Sequence, residues 1–294
     1  MFSSFWKFIQ DKQPVSTTGA IAHTYYWLTT LMSGDIIYHN PNFKAPDTDD
    51  PTLRQGVVIY CVHGTADQPG SFSRIAERLM QEGLPDYISA IHLVAFDSRY
   101  QGKGIKYFSK ELIKKVVENG HKHVIFMGHS RGGVITAHAA QYRASQFGIN
   151  VHLLYSICAP FGGSYLAIRP LSLFSTSVAQ MEINSDLLKE LNQSISETSD
   201  KYRFIAAKQD AVVLPEAAYV ADYVAKEPDS KVIFDRHGHL SIMSSHRLVR
   251  YIHNGLLKLG EILLPKKTHP INAKLSPLTV ENEEKRAAYG LGSS

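Results

Sequence analysis

Cysteine is nearly absent from this chain: there are 2 among 294 residues, Cys61 and Cys158, and each sits inside an apolar, strand-like run. They read as buried free thiols, compatible with a reducing compartment, and not as a disulfide framework. An excess of one charge is also missing. The 31 Lys and Arg against 27 Asp and Glu leave a formal charge of +4, spread along the chain without a basic stripe, so nothing points to nucleic acid. No apolar run is long enough to span a bilayer. The best candidate, Ala20 to Met32, is interrupted by threonine and histidine. Its Tyr25 to Leu31 stretch is an aromatic surface suited to docking on the domain or to peripheral membrane contact. The first ten residues lack a basic segment followed by a long apolar core, so a cleavable signal is not expected. The expected location is cytoplasmic, or exported without such a signal. No internal repeat appears.

What is present is ample core material, 44% hydrophobic residues, arranged in alternation. Gly56 to Val62 is a continuous apolar strand of the kind covered on both faces of a parallel sheet. Phe72, Ile75, Ala76, Leu79 and Met80 then mark one apolar helical stripe, opened near Pro69 and Ser71. Ile88 to Phe96 is a strand, and Ile105, Phe108, Leu112, Ile113 and Val116 mark a second amphipathic helix. Val124 to Met127, Val151 to Cys158, Tyr202 to Ala207 and Lys231 to Phe234 are further strands, and Leu240 to Leu259 a closing helix. Strands alternating with helices predict a largely parallel sheet with right-handed crossovers. Three parts are expected: an N-terminal extension over 1–53, a domain over 54–264, and a polar tail over 265–294.

One stretch carries chemistry. Gly128-His129-Ser130-Arg131-Gly132 has the spacing G-x-S-x-G, after an apolar strand and before a small-residue helix running from Val134 to Arg143. A serine becomes a useful nucleophile when a sharp turn holds it out of the sheet, near a base and near backbone donors. The glycines allow strand and helix to approach around that turn. An oxyanion needs two such donors. One is expected from the amide of Arg131, the other from the His63-Gly64-Thr65 loop, at the amide of Thr65.

With these pieces the chain resembles the α/β-hydrolase superfamily, and within it the lipase and esterase branch. The resemblance covers about 54–260 and is carried by VVIYCVHGTADQPGSF, VIFMGHSRGG, YSICAPFGGSYLA, FIAAKQDAVVLP and HGHLSIM. It implies a twisted, mostly parallel sheet with helices on both faces and the chain order Ser, acid, His. Arg131 departs from the family pattern, since many relatives carry a smaller or uncharged residue there. Asp210, after the Tyr202 strand, is the expected acid, with Asp97 its competitor. His239, in Gly238-His239-Leu240-Ser241-Ile242, is the expected base, with His237 as the alternative. His63 and His129 are expected to shape the site without acting as bases. The long segment 161–199 is expected to form a helical cap. Phe161, Leu166, Leu171 and Phe174 would line an acyl pocket there, and Met181 to Leu191 would form a helix on the domain.

The resulting expectation is a serine ester hydrolase acting on carboxylic esters with an apolar acyl group, lipids and phospholipids included. It would use Ser130, His239 and Asp210, with no metal or organic cofactor. A thioesterase or acyltransferase on the same residues, and a non-catalytic binding protein that kept the fold, are the alternatives.

Overall fold

The computed structural model describes residues 23–26, 28–30, 33–65, 67–98, 101–164 and 176–264. Seven strands form one sheet in the order β1-β3-β2-β4-β5-β6-β7. They are β1 (Ile36–His39), β2 (Val57–Val62), β3 (Ile88–Val94), β4 (His123–His129), β5 (Asn150–Ile157), β6 (Tyr202–Ala207) and β7 (Lys231–Phe234). Every pairing is parallel except that of β1 with β3. The described helices of six residues or more are α1 (Ser73–Glu82), α2 (Ile105–Glu118), α3 (Arg131–Tyr142), α4 (Asp186–Ser196), α5 (Ala221–Lys226) and α6 (His246–Leu263).

The unbroken apolar runs are explained by the layers. Val58, Tyr60, Val62, Val124, Phe126 and Leu154 pack with α2, α3, α4 and α5 on one face. Their neighbours Val57, Ile59, Cys61, Ile125, Met127 and Tyr155 pack with α1 and α6 on the other. Both sets of a period-two strand must therefore be apolar.

The structure adds to the expected pattern and shifts it in four places. β1 was not expected. Its alternating half-burial is that of an edge strand, too short to stand out, and it makes part of the 1–53 extension a piece of the sheet. The helix after Pro69 begins as a 3-10 turn, Pro69–Phe72, before α1. The closing helix starts at His246, because Ser245 caps it by accepting from the Leu248 amide. His239 is thereby left on a loop. The helix expected over Met181 to Leu191 is α4, capped by Ser185, and its Leu187, Leu188, Leu191 and Ile195 bury one stripe in the core. Residues 165–175 of the expected cap, and the tail 265–294, lie outside the described residues.

Burial also sets a pH dependence. It pushes His92, His138 and His152 down to about 4 and His129 to about 3, from an ordinary value of about 6.5. Between about pH 4 and 6.5 the unfolded chain binds protons that the native state refuses, so stability rises with pH across that window. The melting temperature is expected to be several degrees lower at pH 5 than at pH 7. His152→Gln should shrink the difference. Equal melting temperatures for the native protein at the two pH values would contradict this account.

Candidate active site

β4 ends at His129 and α3 begins at Arg131, so Ser130 alone makes the turn. Its backbone sits at φ 54°, ψ −127°, a conformation that costs a side-chain-bearing residue free energy and persists only when its surroundings enforce it. The enforcement is visible. The Ser130 amide donates to the Ile157 carbonyl of β5 at 2.9 Å, and the Gly133 amide donates to the Ser130 carbonyl at 3.0 Å. A Cβ on Gly132 would collide with the Val62 carbonyl of β2, and one on Gly128 with the Gly132 carbonyl and the Gly133 amide nitrogen. Gly132→Ala should therefore cost at least about 1–3 kcal/mol, the usual cost of overpacking, because the obstacle is backbone with nowhere to move. A melting curve superimposable on wild type would show that the turn relaxes after all.

The His63-Gly64-Thr65 loop lies against this turn. A Cβ on Gly64 would be 3.2 Å from that of Ser130. Arg131 ties the two together: its side chain is buried, with Nη2 donating to the Gly64 carbonyl at 3.2 Å and the guanidinium 4.7 Å from the Phe108 ring centroid. Burial pushes the guanidinium down to about 10, with the Asp67 charge opposing, so it remains cationic at neutral pH. Arg131 thus fastens the loop to the turn.

Asp210 follows β6 and is buried. Its Oδ1 accepts from the amides of Val212 and Val213, both at 2.8 Å, and its Oδ2 meets His239 Nδ1 at 2.7 Å. Burial alone would raise this carboxyl. The hydrogen bond and charge of His239, with the two amides, outweigh burial and hold it below the ordinary carboxylate range. An ionised Asp210 places the His239 proton on Nδ1 and leaves Nε2 as a lone pair. Ser130, His239, Gly64, Thr65, His129, Leu240, His23, Thr24 and Asp67 line one cavity of about 280 Å³.

No family model and no curated protein matches the chain, but solved structures do. Lipase BlEst2 of Bacillus licheniformis in its mature form is 15% identical with a TM-score of 0.54, over 75% of this chain and 98% of that one. The monoacylglycerol lipase of Paleococcus ferrophilus is 14% identical with a TM-score of 0.53, over 77% and 100%. An alpha/beta hydrolase from the sediment metagenome of the Mar Chica lagoon, Morocco, is 18% identical with a TM-score of 0.51, over 69% and 91%. The chain has the α/β-hydrolase fold.

Within that fold the expected residues separate clearly. Ser130, His239 and Thr65 line one cavity, Asp210 stands behind His239, and Arg131 follows the serine. The two competitors lie elsewhere: Asp97 is exposed, and His237 Nε2 pairs with the Ser245 hydroxyl at 3.1 Å. Phe161 corrects the expected acyl pocket. It is 1% exposed, edge-on to Phe204 at 5.3 Å, and belongs to the core, where the strand it follows delivers it. Leu166, Leu171 and Phe174 lie outside the described residues.

His129, expected to shape the site, is fully buried, and its Nε2 donates to the His239 carbonyl at 2.9 Å, which holds the loop bearing His239. The sulfur of Cys158, a carboxylate oxygen of Asp210 and a nitrogen of His239 lie within 4.8 Å of one another, a set that contains metal-ligand types. Burial, the Asp210 charge and a hydrogen bond to that carboxylate raise the Cys158 thiol well above its ordinary range. With no ion bound it is a thiol, and a metal would have to displace its proton. His23 and Asp67 enter the cavity wall from two distant parts of the chain.

Proposed function

We propose that this protein is a serine hydrolase of carboxylic esters. The observation that carries the reading is a serine held in a strained strand-to-helix turn, in the same cavity as a histidine whose far nitrogen is engaged by a buried carboxylate. In the mechanism, Ser130 Oγ attacks the ester carbonyl while His239 Nε2 takes its proton. Asp210 stabilises the imidazolium, and the amides of Thr65 and Arg131 take the oxyanion charge. His239 then protonates the departing alcohol. Water, deprotonated by His239, attacks the acyl-enzyme, releases the acid and restores Ser130.

Two of the structural neighbours are lipases, which favours apolar acyl groups among the ester classes. Tyr25 and Leu28 are 62% and 60% exposed, a surface suited to peripheral contact with aggregated lipid. No described helix is long and apolar enough to cross a membrane. A thioesterase or acyltransferase would use the same residues with a different leaving group or acceptor.

A fluorophosphonate probe should label the purified protein at Ser130. With p-nitrophenyl esters from acetate to palmitate, kcat/KM should rise beyond acetate, since each buried methylene contributes about 0.8 kcal/mol. A protein that is unlabelled and inactive on every ester would return the reading to a binding module. A kcat/KM that peaks at acetate and falls with each added carbon would remove the lipase assignment alone.

A further inference from the structure

Part of the cavity wall beside Ser130 has no task in the mechanism above. It is delivered by the helical residues 23–26 and 28–29, which dock on the domain. The Tyr26 hydroxyl donates to Glu77 of α1 at 2.5 Å, and Thr30 sits so close to Gly70 that any side chain there would strike it. Docking buries His23 in the cavity with its Nε2 3.5 Å from Asp67 Oδ1, the two side chains being 6% and 7% exposed. Asp67 is ionised. Burial opposes its charge, but His23, His129 and His63 outweigh burial and hold the carboxyl at about 2.

Polar capacity is left over in this wall. His23 Nδ1 and His129 Nδ1 are buried and have no hydrogen-bond partner among the described residues. His129 carries its proton on Nε2, which it donates to the His239 carbonyl, so its Nδ1 is a lone pair. The Asp67 carboxylate, whose Oδ1 already takes the Gln68 amide at 2.9 Å, and the His129 lone pair are both acceptors, and His129 Nδ1 has no donor.

The chemistry says which part of an ester meets them. His239 must hand its proton to the departing alcohol, so the alcohol lies on the His239 side of Ser130. From His239 the wall continues through His129, ring centroids 4.8 Å apart, to His23, a further 6.4 Å from His129. We propose that His23 and Asp67 form the alcohol subsite and select esters whose leaving alcohol carries a second hydrogen-bond donor: a short hydroxylated alcohol, not a plain alkyl one. This deepens the ester-hydrolase reading and rests on it. An alkyl alcohol would leave the buried His129 acceptor unpaired, and a site built to bond a hydroxyl rejects the analogue lacking one. A cavity of about 280 Å³ limits the group to a short one.

The test uses the full chain and three butyrate esters that share an acyl group: ethyl, 2-hydroxyethyl and choline. The unmodified protein should favour the 2-hydroxyethyl ester over the ethyl ester by roughly tenfold in kcat/KM, the worth of one hydrogen bond in a buried site. In Asp67→Asn and in His23→Leu that ratio should fall toward one. The isosteric Asp67→Asn and the unmodified protein's own ratio serve if His23→Leu fails to fold. A ratio at or below one in the unmodified protein overturns the subsite, as does a ratio unchanged in both variants. Preference for the choline ester, a cation without a donor, would also overturn it, because charge alone would then be read. Equal turnover of all three with Ser130 labelled removes the subsite and leaves the hydrolase. No turnover of any ester overturns the subsite, and phosphonate labelling of Ser130 then decides whether the hydrolase reading falls with it.

Discussion

Ser130→Ala is expected to lower p-nitrophenyl ester turnover by roughly 10³- to 10⁶-fold, because nucleophile, base and acid act as a unit and removing one forfeits nearly all of their joint effect. The residual rate would come from the cavity and the oxyanion donors, which the substitution leaves in place. Folding should survive. The Ser130 amide and carbonyl make the turn's hydrogen bonds, and alanine keeps both, although it inherits the same strained backbone at φ 54°. The two effects are therefore separable: a melting temperature near wild type beside abolished turnover and abolished phosphonate labelling. A purified, folded Ser130→Ala protein that turns over ester at the native rate would refute the central assignment.

Asp210→Asn should cost at least about 10²-fold, and as much as ~10⁴-fold if tautomer control is complete. The amide oxygen of asparagine can still accept from Val212 and Val213 as Oδ1 does now. That places an NH₂ where Oδ2 faces His239 Nδ1. A donor at that point favours a lone pair on Nδ1 and moves the imidazole proton to Nε2, the atom that must take the proton of Ser130. The variant would fold with the site nearly superimposable and the base pointing the wrong way. His239→Ala should lose activity on at least the same scale, since no other imidazole among the described residues pairs with Asp210. Asp97→Asn and His237→Ala serve as controls and should stay within a few-fold of native kcat/KM. An inactive His237 variant beside an active His239 variant would reverse the assignment of the base.

The residues of the turn were legible because their signal is local. G-x-S-x-G between an apolar strand and a small-residue helix places Ser130 and Arg131 without reference to the rest of the chain, and the glycine contacts with Val62, Gly132 and Gly133 explain the spacing. Asp210 and His239 were legible for a related reason: strand ends are local, and a parallel sheet gathers its strand ends along one edge. The acyl pocket was not legible in this way. Phe161 follows a strand end just as Asp210 does, yet its ring turns into the core against Phe204, and no periodicity distinguishes a core aromatic from a pocket aromatic at such a position.

The sequence by itself determined the alternation of strands and helices, the double-faced sheet and the position of the Ser130 turn, because each is written in spacings of a few residues. Only the tertiary structure decided which side chains surround the serine. His23 reaches the cavity across 44 positions to pair with Asp67, His129 binds the backbone of His239 across 110, and β1 pairs with β3 although β2 and α1 lie between them in the chain. Such partners are chosen by packing of the whole chain, in which a contact depends on where every intervening element comes to rest. Their residue types are ordinary, and short-range pattern holds no record of the choice.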